Sequence, residues 1–372
     1  MPDPRHEKLA SLLVEYSCGL GPGDEVLIEA VDVPHDFVAL LVRTAAGVGA
    51  RPLVTLKSQT VWRALLHAAT EEQMRLIGEA EAFRMERVDA YIGIRGTPNV
   101  SEWSDVPGDR MQLYERLFWK HVHQRVRVPG TRWVVLRWPN ASMAQLAQMP
   151  TEAFEDFYFR ACTLDYARMA RAMEPLKELM EATDRVRLVA PGTDLAFSIR
   201  GIPAVPCDGK LNIPDGEVFT APVRDSVEGT IRFNSTTLYQ GVTHDDVCLT
   251  FEGGRIVAAT STEAEHLNRV LDADEGARYV GEFAIGFHPH IRRPMKDTLF
   301  DEKIAGSIHL TPGQAYEQAW NGNTSQIHWD LVLRMDAAAG GGEIWFDDRL
   351  VRKDGEFVLE ELAGLNPDRL AA

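Results

Sequence analysis

The feature that most constrains the fold is the alternation of apolar strands with helices over the first 140 residues. Strand-like runs, separated by helical patterns, occur at residues 23–31, 51–56, 89–96 and 132–139. Parallel strands need long crossover connections, which are usually helices, so this order predicts a mostly parallel sheet flanked by helices. We therefore expect an α/β domain in the first half of the chain.

The pattern changes after a strongly helical region at residues 150–183. Within it, Pro175 predicts a bend or a break, because proline cannot donate the backbone hydrogen bond that a helix interior needs. From residue 185 onward, alternating apolar residues and frequent turns indicate antiparallel strands. We predict two domains, an N-terminal α/β domain over residues 1–184 and a C-terminal α+β domain over residues 185–372.

Charge and composition exclude several classes of partner. A formal net charge of −16 argues against nucleic acid binding, and the short basic run at 120–132 is interpreted as a surface or interface strand. The chain has no run of about eighteen apolar residues, so we expect no membrane span. Its four cysteines are scattered and form no CxxC pair, which predicts a cytoplasmic protein without a disulfide framework.

The candidate metal-ligand motifs lie in the second half. His328 and Asp330 stand two apart in GNTSQIHWD, so in an extended strand both would point to one side while Trp329 faces the other. His309 and Glu282 lie upstream of this pair. Imidazole nitrogens and carboxylate oxygens suit zinc, cobalt, manganese or iron, so the set permits a metal site.

Other motifs in the sequence are weaker. His288 and His290 flank Pro289 and are expected to lie in a solvent-facing loop. The chain contains no GxSxG elbow, no HExxH helix and no P-loop. These absences disfavour serine hydrolases, zincins and nucleotide hydrolases.

Six segments of the second half occur together in the order typical of one family. They are GTDLAFSIRG (192–201), NIPDGEVFTAP (212–222), FEGGRIV (251–257), LDADEGARYVGEFAIG (271–286), HLTPGQAY (309–316) and NTSQIHWD (323–330). On these segments the chain resembles the aminopeptidase T, aminopeptidase S and PepS family of dinuclear metallo-aminopeptidases. Over the first 180 residues only the α/β pattern is compatible with that family.

The resemblance implies a metal-dependent aminopeptidase that releases N-terminal residues from peptides with a metal-activated water. It implies two divalent ions per chain (zinc, cobalt or manganese) and a homodimer that encloses its active sites. The family's metal-binding residues fall on Glu217, Glu282, His309, His328 and Asp330. Its catalytic tyrosine falls on Tyr316, and Glu282 is expected to serve catalysis as well. Such ions polarise a carbonyl, and a nearby phenol can stabilise the developing oxyanion.

The chain departs from the family pattern in three places. The segment between His309 and His328 is short, and the pattern HLALG is replaced by HLTPG. The acidic stretch before His309 carries Lys303 where the family has asparagine. These departures leave the expected metal ligands in place and leave the choice of substrate open.

Two alternatives remain open at this point. A relative on the same scaffold, 2,5-dihydroxypyridine dioxygenase, opens pyridine rings with one iron(II) ion and oxygen, and His309, His328 and Asp330 could supply its donors. A non-catalytic small-molecule-binding relative would keep the fold without turnover. Retention of both Glu217 and Glu282 favours two metal ions and hydrolysis.

Overall fold

The computed structural model describes residues 3–371 and divides into two compact units. The first unit runs to Thr163 and includes Gly209–Pro214, and the second holds Leu164–Asp208 and the chain from Asp215 onward. This division lies twenty-one residues before the boundary that the sequence pattern predicted at 184.

The long helix Tyr166–Ala182 accounts for this difference. It packs against the strands Val205–Cys207 and Glu217–Thr220 and against the C-terminal 3-10 segment Glu360–Leu365, all in the second unit. Local helical periodicity cannot reveal which of two cores a helix will join, because amphipathic spacing is the same in either case.

The first unit is built on one parallel sheet. Its strands are β1 (Glu25–Val31), β2 (Arg51–Lys57), β3 (Ala90–Arg95), β4 (Arg132–Arg137) and a short fifth strand, Asn212–Ile213. They are arranged in the order β2-β1-β3-β4 followed by the short strand, and each neighbouring pair is parallel. The predicted α/β character of the N-terminal region is confirmed.

Helices and π-helical segments cover this sheet. The helices are α1 (Pro4–Ser11), α2 (His35–Gly47), α3 (Gln59–Ala68), α4 (Glu71–Met85), α5 (Gly108–Tyr114), α6 (Val128–Gly130), α7 (Ala141–Leu146) and α8 (Thr151–Cys162). The π-helical segments Leu12–Ser17 and Glu115–Arg127 continue α1 and α5. The prediction of a surface or interface strand at 120–132 was therefore wrong. Phe118 and Val122 are four residues apart, so both reach the core when the segment is helical.

The helical region at residues 150–183 contains two helices, which agrees with the predicted break and not with a single bent helix. The break lies between Cys162 and Tyr166, however, and Pro175 sits inside the second helix, α9 (Tyr166–Ala182). The Asp165 side chain accepts a hydrogen bond from the backbone N–H of Arg168 and so begins that helix. The prediction that Pro175 marks the break was wrong.

The second unit is mostly antiparallel. Its strands are β5 (Arg185–Ala190), β6 (Thr193–Ser198), β7 (Val205–Cys207), β8 (Glu217–Thr220), β9 (Glu228–Arg232), β10 (Thr237–Tyr239), β11 (Val242–His244), β12 (Cys248–Glu252), β13 (Arg255–Thr260), β14 (Val280–Gly286), β15 (Ser307–Pro312), β16 (Leu331–Arg334), β17 (Glu343–Phe346), β18 (Arg349–Lys353) and β19 (Glu356–Phe357). Three short helices accompany them, α10 (Ala264–Leu271), α11 (Thr298–Asp301) and α12 (Pro367–Leu370). The predicted α+β region is confirmed.

Two main sheets organise these strands. An eight-stranded sheet has the order β13-β12-β9-β6-β5-β17-β18-β19, and a five-stranded sheet has the order β16-β15-β14-β8-β7. Every residue of β14 and β15 is buried. Polar side chains on these two central strands are consequently withdrawn from water and need partners.

No helix in the span 3–371 combines the length and the apolar character that crossing a membrane requires. The four cysteines are free thiols.

Candidate metal centre

The five-stranded sheet brings three acidic and imidazole side chains to one face. Glu217 begins β8, Glu282 lies on β14 and His309 lies on β15. Glu217 pairs with Gly286, and His309 pairs with Ala284. Since opposite residues share a face and alternate residues along one strand do too, all three side chains project from the same side.

A glycine allows the irregularity beside Glu282. The pairing of β14 with β15 shifts between Val280 and Glu282. A Cβ atom at Gly281 would lie only 2.4 Å from the carbonyl oxygens of Gly313 and Gln314. Only glycine therefore permits the close approach that places the Gln314 carbonyl beside the site.

His328 and Asp330 reach the same place from the segment that leads into β16. Their Nε2 and Oδ1 atoms are 3.3 Å apart, whereas Trp329 is buried elsewhere and stacks on Tyr239 with ring centroids 4.4 Å apart. The two-residue spacing thus placed both side chains together, as the sequence predicted. Regular strand structure begins only at Leu331.

The donor atoms fall into two groups that share Glu282. In the first group, which we call position A, the residues are Glu217, Glu282 and His309, and in the second, position B, they are Glu282, His328 and Asp330. Within each group one donor atom per residue lies within 4.8 Å of the others. The five residues therefore place nitrogen and oxygen donors around two neighbouring points, and the Glu282 carboxylate is common to both.

Specific contacts hold the groups together. His309 Nε2 lies 3.0 Å from Glu282 Oε1, and His309 Nδ1 lies 3.6 Å from Glu217 Oε2. His328 Nε2 lies 3.3 Å from Glu282 Oε2. His309 therefore faces carboxylate oxygens with both ring nitrogens, and His328 faces them with Nε2.

Among the residues that the structure describes, two buried oxygens in this cluster accept no hydrogen bond of normal geometry. They are Glu217 Oε2 and Glu282 Oε2, one in position A and one shared with position B. A buried carboxylate oxygen without a partner is costly unless a cation neutralises it. The chemistry of the donor set and these two oxygens fit divalent metal ions.

Hydrogen bonds behind the donors orient them. A carbonyl oxygen can only accept, so the contact of 2.8 Å between His328 Nδ1 and Gln314 O requires the proton on Nδ1. In the neutral imidazole, which is the form that binds metal, the Nε2 lone pair then faces Glu282 and Asp330. Thr311 donates from Oγ1 to Asp330 Oδ1 at 2.6 Å. Such outer contacts are typical of metal-binding histidines and carboxylates.

The pKa values of the cluster show that it favours positive charge at its centre. Burial opposes the charged form of His309, but the Glu217 and Glu282 carboxylates raise its pKa to about 10. Burial likewise opposes the charge on His328, yet the Asp330 carboxylate raises its pKa well above the usual value. Burial acts to raise the pKa of Asp330, and the His328 imidazole lowers it below the usual range. A metal cation would satisfy the same field.

Sequence reasoning missed two acids that pack beside position A. Asp215 and Glu302 surround the ammonium of Lys303, which hydrogen-bonds Glu302 Oε1 and lies 3.2 Å from Glu217 Oε1. Burial raises the pKa of Glu302 to about 8. The Lys303 charge opposes this increase, whereas the Glu217 and Asp330 charges add to it. The Pro-Asp-Gly turn and the DEK run were visible signals, but their convergence depends on the fold.

Tyr316 stands at the rim of the cluster. Its ring centroid lies 4.6 Å from that of His328 and 5.7 Å from that of Phe219, while 46% of the residue is exposed. It precedes a short 3-10 turn, Glu317–Ala319, in extended backbone. The residue is therefore partly accessible to a molecule that enters beside His328.

The pair His288 and His290 does not join the cluster's two donor groups. The expectation of a solvent-facing loop was wrong for His288, which is fully buried. Its Nδ1 accepts a hydrogen bond from the backbone N–H of His290.

Comparison with known proteins gives consistent results over nearly the whole chain. The family described as "Thermophilic metalloprotease (M29)" matches residues 3–357. Aminopeptidase T of Thermus thermophilus is 30% identical over 359 residues, 86% of either chain. Aminopeptidase AmpS of Bacillus subtilis is 26% identical over 361 residues, 87% of either chain.

Solved structures share the fold. Wild-type AmpT from Thermus thermophilus superposes with a TM-score of 0.81 and 24% identity, covering 96% of this chain and 99% of that one. The 2,5-dihydroxypyridine dioxygenase of Pseudomonas putida KT2440 superposes with a TM-score of 0.62 and 15% identity, covering 96% and 98%. At these identities the structures support the two-region architecture alone.

Proposed function

Because this chain belongs to the M29 family of metalloproteases, and is accordingly a metal-dependent aminopeptidase, we propose that its acid and imidazole cluster is the catalytic centre. The observation that carries the proposal is the pair of donor groups that share Glu282, with one buried oxygen on Glu217 and one on Glu282 that accept no hydrogen bond from the residues the structure describes. Positions A and B would each hold one divalent ion through Glu217, Glu282, His309, His328 and Asp330.

When bound, divalent ions at such a site polarise the scissile carbonyl and make a water nucleophilic at neutral pH. The chain's own residues supply the rest. The Glu282 carboxylate contributes a donor to each position, and contacts with His309 and His328 fix its orientation. The Gln314 carbonyl keeps the His328 lone pair directed into the site. Water exclusion by the buried strands strengthens each electrostatic contact.

Tyr316 is proposed to stabilise the transition state. Its position beside His328 and its partial exposure support this role. A phenol there can donate a hydrogen bond to the oxyanion that develops on the substrate carbonyl.

We propose two ions per chain, chosen among zinc, cobalt and manganese. The test is cleavage of leucyl-p-nitroanilide by protein stripped with a chelator and then resupplied with each ion. The stripped protein is expected to be inactive, and activity should return with about two equivalents of metal. Cleavage that persists after complete removal of metal would overturn the proposal.

Glu282→Ala tests the residue that both positions share. We expect cleavage to fall to background, since one substitution removes a donor from A and from B, while circular dichroism stays unchanged. Glu356→Ala is the matched control, because Glu356 is exposed in the same unit. Full activity in Glu282→Ala would contradict the assignment. One bound iron(II), ring opening with oxygen and no peptide cleavage would favour the dioxygenase alternative, and the absence of any turnover would favour the non-catalytic one.

We further propose a cytoplasmic homodimer. Free cysteines support a reducing compartment. Light scattering on the purified protein should give about twice the chain mass of 41.5 kDa. A monomer under conditions of full activity would contradict the dimer.

A further inference from the structure

Lys303 is a fully buried cation at the edge of the proposed centre. Its Nζ atom hydrogen-bonds Glu302 Oε1, lies 3.2 Å from Glu217 Oε1 and lies 3.7 Å from Asp215 Oδ1. A buried ammonium is retained only where acidic or hydrogen-bonding groups compensate it, and three acidic side chains surround it here. The fixed positive charge is therefore part of the site's construction.

The ammonium contacts a donor of position A and, among the residues that the structure describes, contacts no donor of position B. In position A, Glu217 is divided between two roles, since Oε1 faces Lys303 and Oε2 faces His309. In position B, ion pairs of Glu282 and Asp330 within 4.0 Å involve histidines alone, among the residues that the structure describes. The two positions thus differ by one nearby positive charge.

A third group of potential metal ligands also contacts the Lys303 ammonium. Cys207, Asp215 and Glu217 each offer a donor atom within 4.8 Å of the others. The two carboxylates of that group already share the Lys303 ammonium. Lys303 thus stands where a further cation could otherwise sit, directly beside position A.

We propose that Lys303 makes the two metal positions unequal, so that position B fills first and position A binds its ion weakly and reversibly. The inference rests on the proposed function, because it takes positions A and B as metal sites. A unit positive charge close to a divalent ion repels it, and an ammonium that holds Glu217 Oε1 competes for the carboxylate that position A needs. At low metal concentration the chain would hold one ion through Glu282, His328 and Asp330. The second ion would enter only as the free metal concentration rises.

Isothermal titration of the stripped full-length protein with Mn²⁺ tests the inference, with metal content measured by mass spectrometry after dialysis. The wild type should show two steps whose dissociation constants differ by at least about tenfold, and one ion should remain after dialysis. Lys303→Met keeps a side chain of similar length without the charge. It should tighten the weaker step at least about tenfold and leave the stronger step unchanged.

Lys353→Met is the matched control, because it removes the same charge from an exposed side chain of the same unit. Both steps should keep their wild-type values in that variant. Two equal steps in the wild type, or steps that Lys303→Met leaves unchanged, would overturn the inference.

Two ligand variants assign the steps and do not depend on the folding of Lys303→Met. Asp330→Asn should abolish the tight step, and Glu217→Gln should abolish the weak one. The reverse assignment would overturn the inference while leaving the metal centre intact. Absence of any Mn²⁺ binding in the wild type would instead refute both proposals, whereas two unequal steps without peptide cleavage would refute the proposed function alone.

Discussion

Thr311 is the residue that fixes Asp330. It is fully buried on β15, and its hydroxyl donates to Asp330 Oδ1 at 2.6 Å. Asp330 in turn lies 3.3 Å from His328 Nε2. A carboxylate held in this way presents its oxygens in one orientation, which favours metal binding because less freedom is lost on coordination.

Thr311→Val should weaken metal binding by about tenfold or more, because valine matches the shape of threonine but cannot donate to Asp330. The measurement is competition for the metal against a chromogenic chelator. Thr220→Val is the control, since Thr220 is also fully buried on the same sheet and its hydroxyl donates to the Ile202 carbonyl oxygen, at 3.5 Å. Equal metal affinity in Thr311→Val and the wild type would contradict the role of Thr311.

Tyr316→Phe should lower kcat by about a hundredfold or more and change KM little, because it removes a donor that acts only when charge develops on the substrate oxygen. Metal content should stay at the wild-type value, since the phenol is not needed to hold the ions. Steady-state kinetics with a peptide substrate, combined with metal analysis, checks both expectations. A variant with wild-type kcat would show that Tyr316 serves packing beside His328 instead.

At the scale of elements, the pair β14 and β15 forms the frame of the site. Both strands are buried along their whole length, so their apolar residues pack into the surrounding core. Glu282 and His309 contact each other across the pair. The shift in pairing at Gly281 lets the Gln314 carbonyl approach closely enough to orient His328. The site's geometry thus depends on a local irregularity of the sheet.

Gly281→Ala should destabilise the protein by about 1–3 kcal/mol, because its methyl group would collide with two carbonyl oxygens of the backbone. The loss should appear in urea unfolding. Gly364→Ala is the control, since the nearest atom to a Cβ there is Ala172 Cβ at an ordinary 3.7 Å. Unchanged stability in Gly281→Ala would mean that the irregularity relaxes without cost.

At the scale of the whole molecule, the stability of the chain depends on pH through a buried acid outside the five proposed ligands. Asp301 is 6% exposed, and its two carboxyl oxygens accept backbone hydrogen bonds from Met295 and Lys296. Burial raises its pKa to about 8. Between pH 3.8 and about 8 the folded chain keeps a proton that the unfolded chain has released. Raising the pH through this window therefore favours the unfolded state.

Asp301→Asn should remove that dependence, which amounts to about 1.4 kcal/mol per pH unit for a single group. The free energy of unfolding, measured in urea at pH 5 and pH 7.5, should fall with pH more steeply in the wild type than in the variant. Asp348→Asn at an exposed position should retain the wild-type slope. Parallel slopes in the wild type and Asp301→Asn would contradict the assignment of a protonated carboxyl.

The sequence determined the local structure and the identity of the donors. Alternating strand and helix patterns predicted the parallel sheet that Glu25–Val31 and its neighbours form, because short-range hydrophobic periodicity reports which faces are buried. The spacing of His328 and Asp330 placed both on one side of the chain. Motif resemblance predicted Glu217, Glu282 and His309 as metal ligands, and these residues lie on three strands and share no local pattern.

Only the tertiary structure decided which groups surround those donors. Strand pairing set Glu217 and His309 on the face of Glu282, and it also buried Asp215, Glu302 and Lys303 against position A. Burial of a charge and convergence of distant side chains depend on long-range packing, which sequence spacing does not encode. For the same physical reason the helix Tyr166–Ala182 joined the second unit: its amphipathic pattern required a core but did not specify which one.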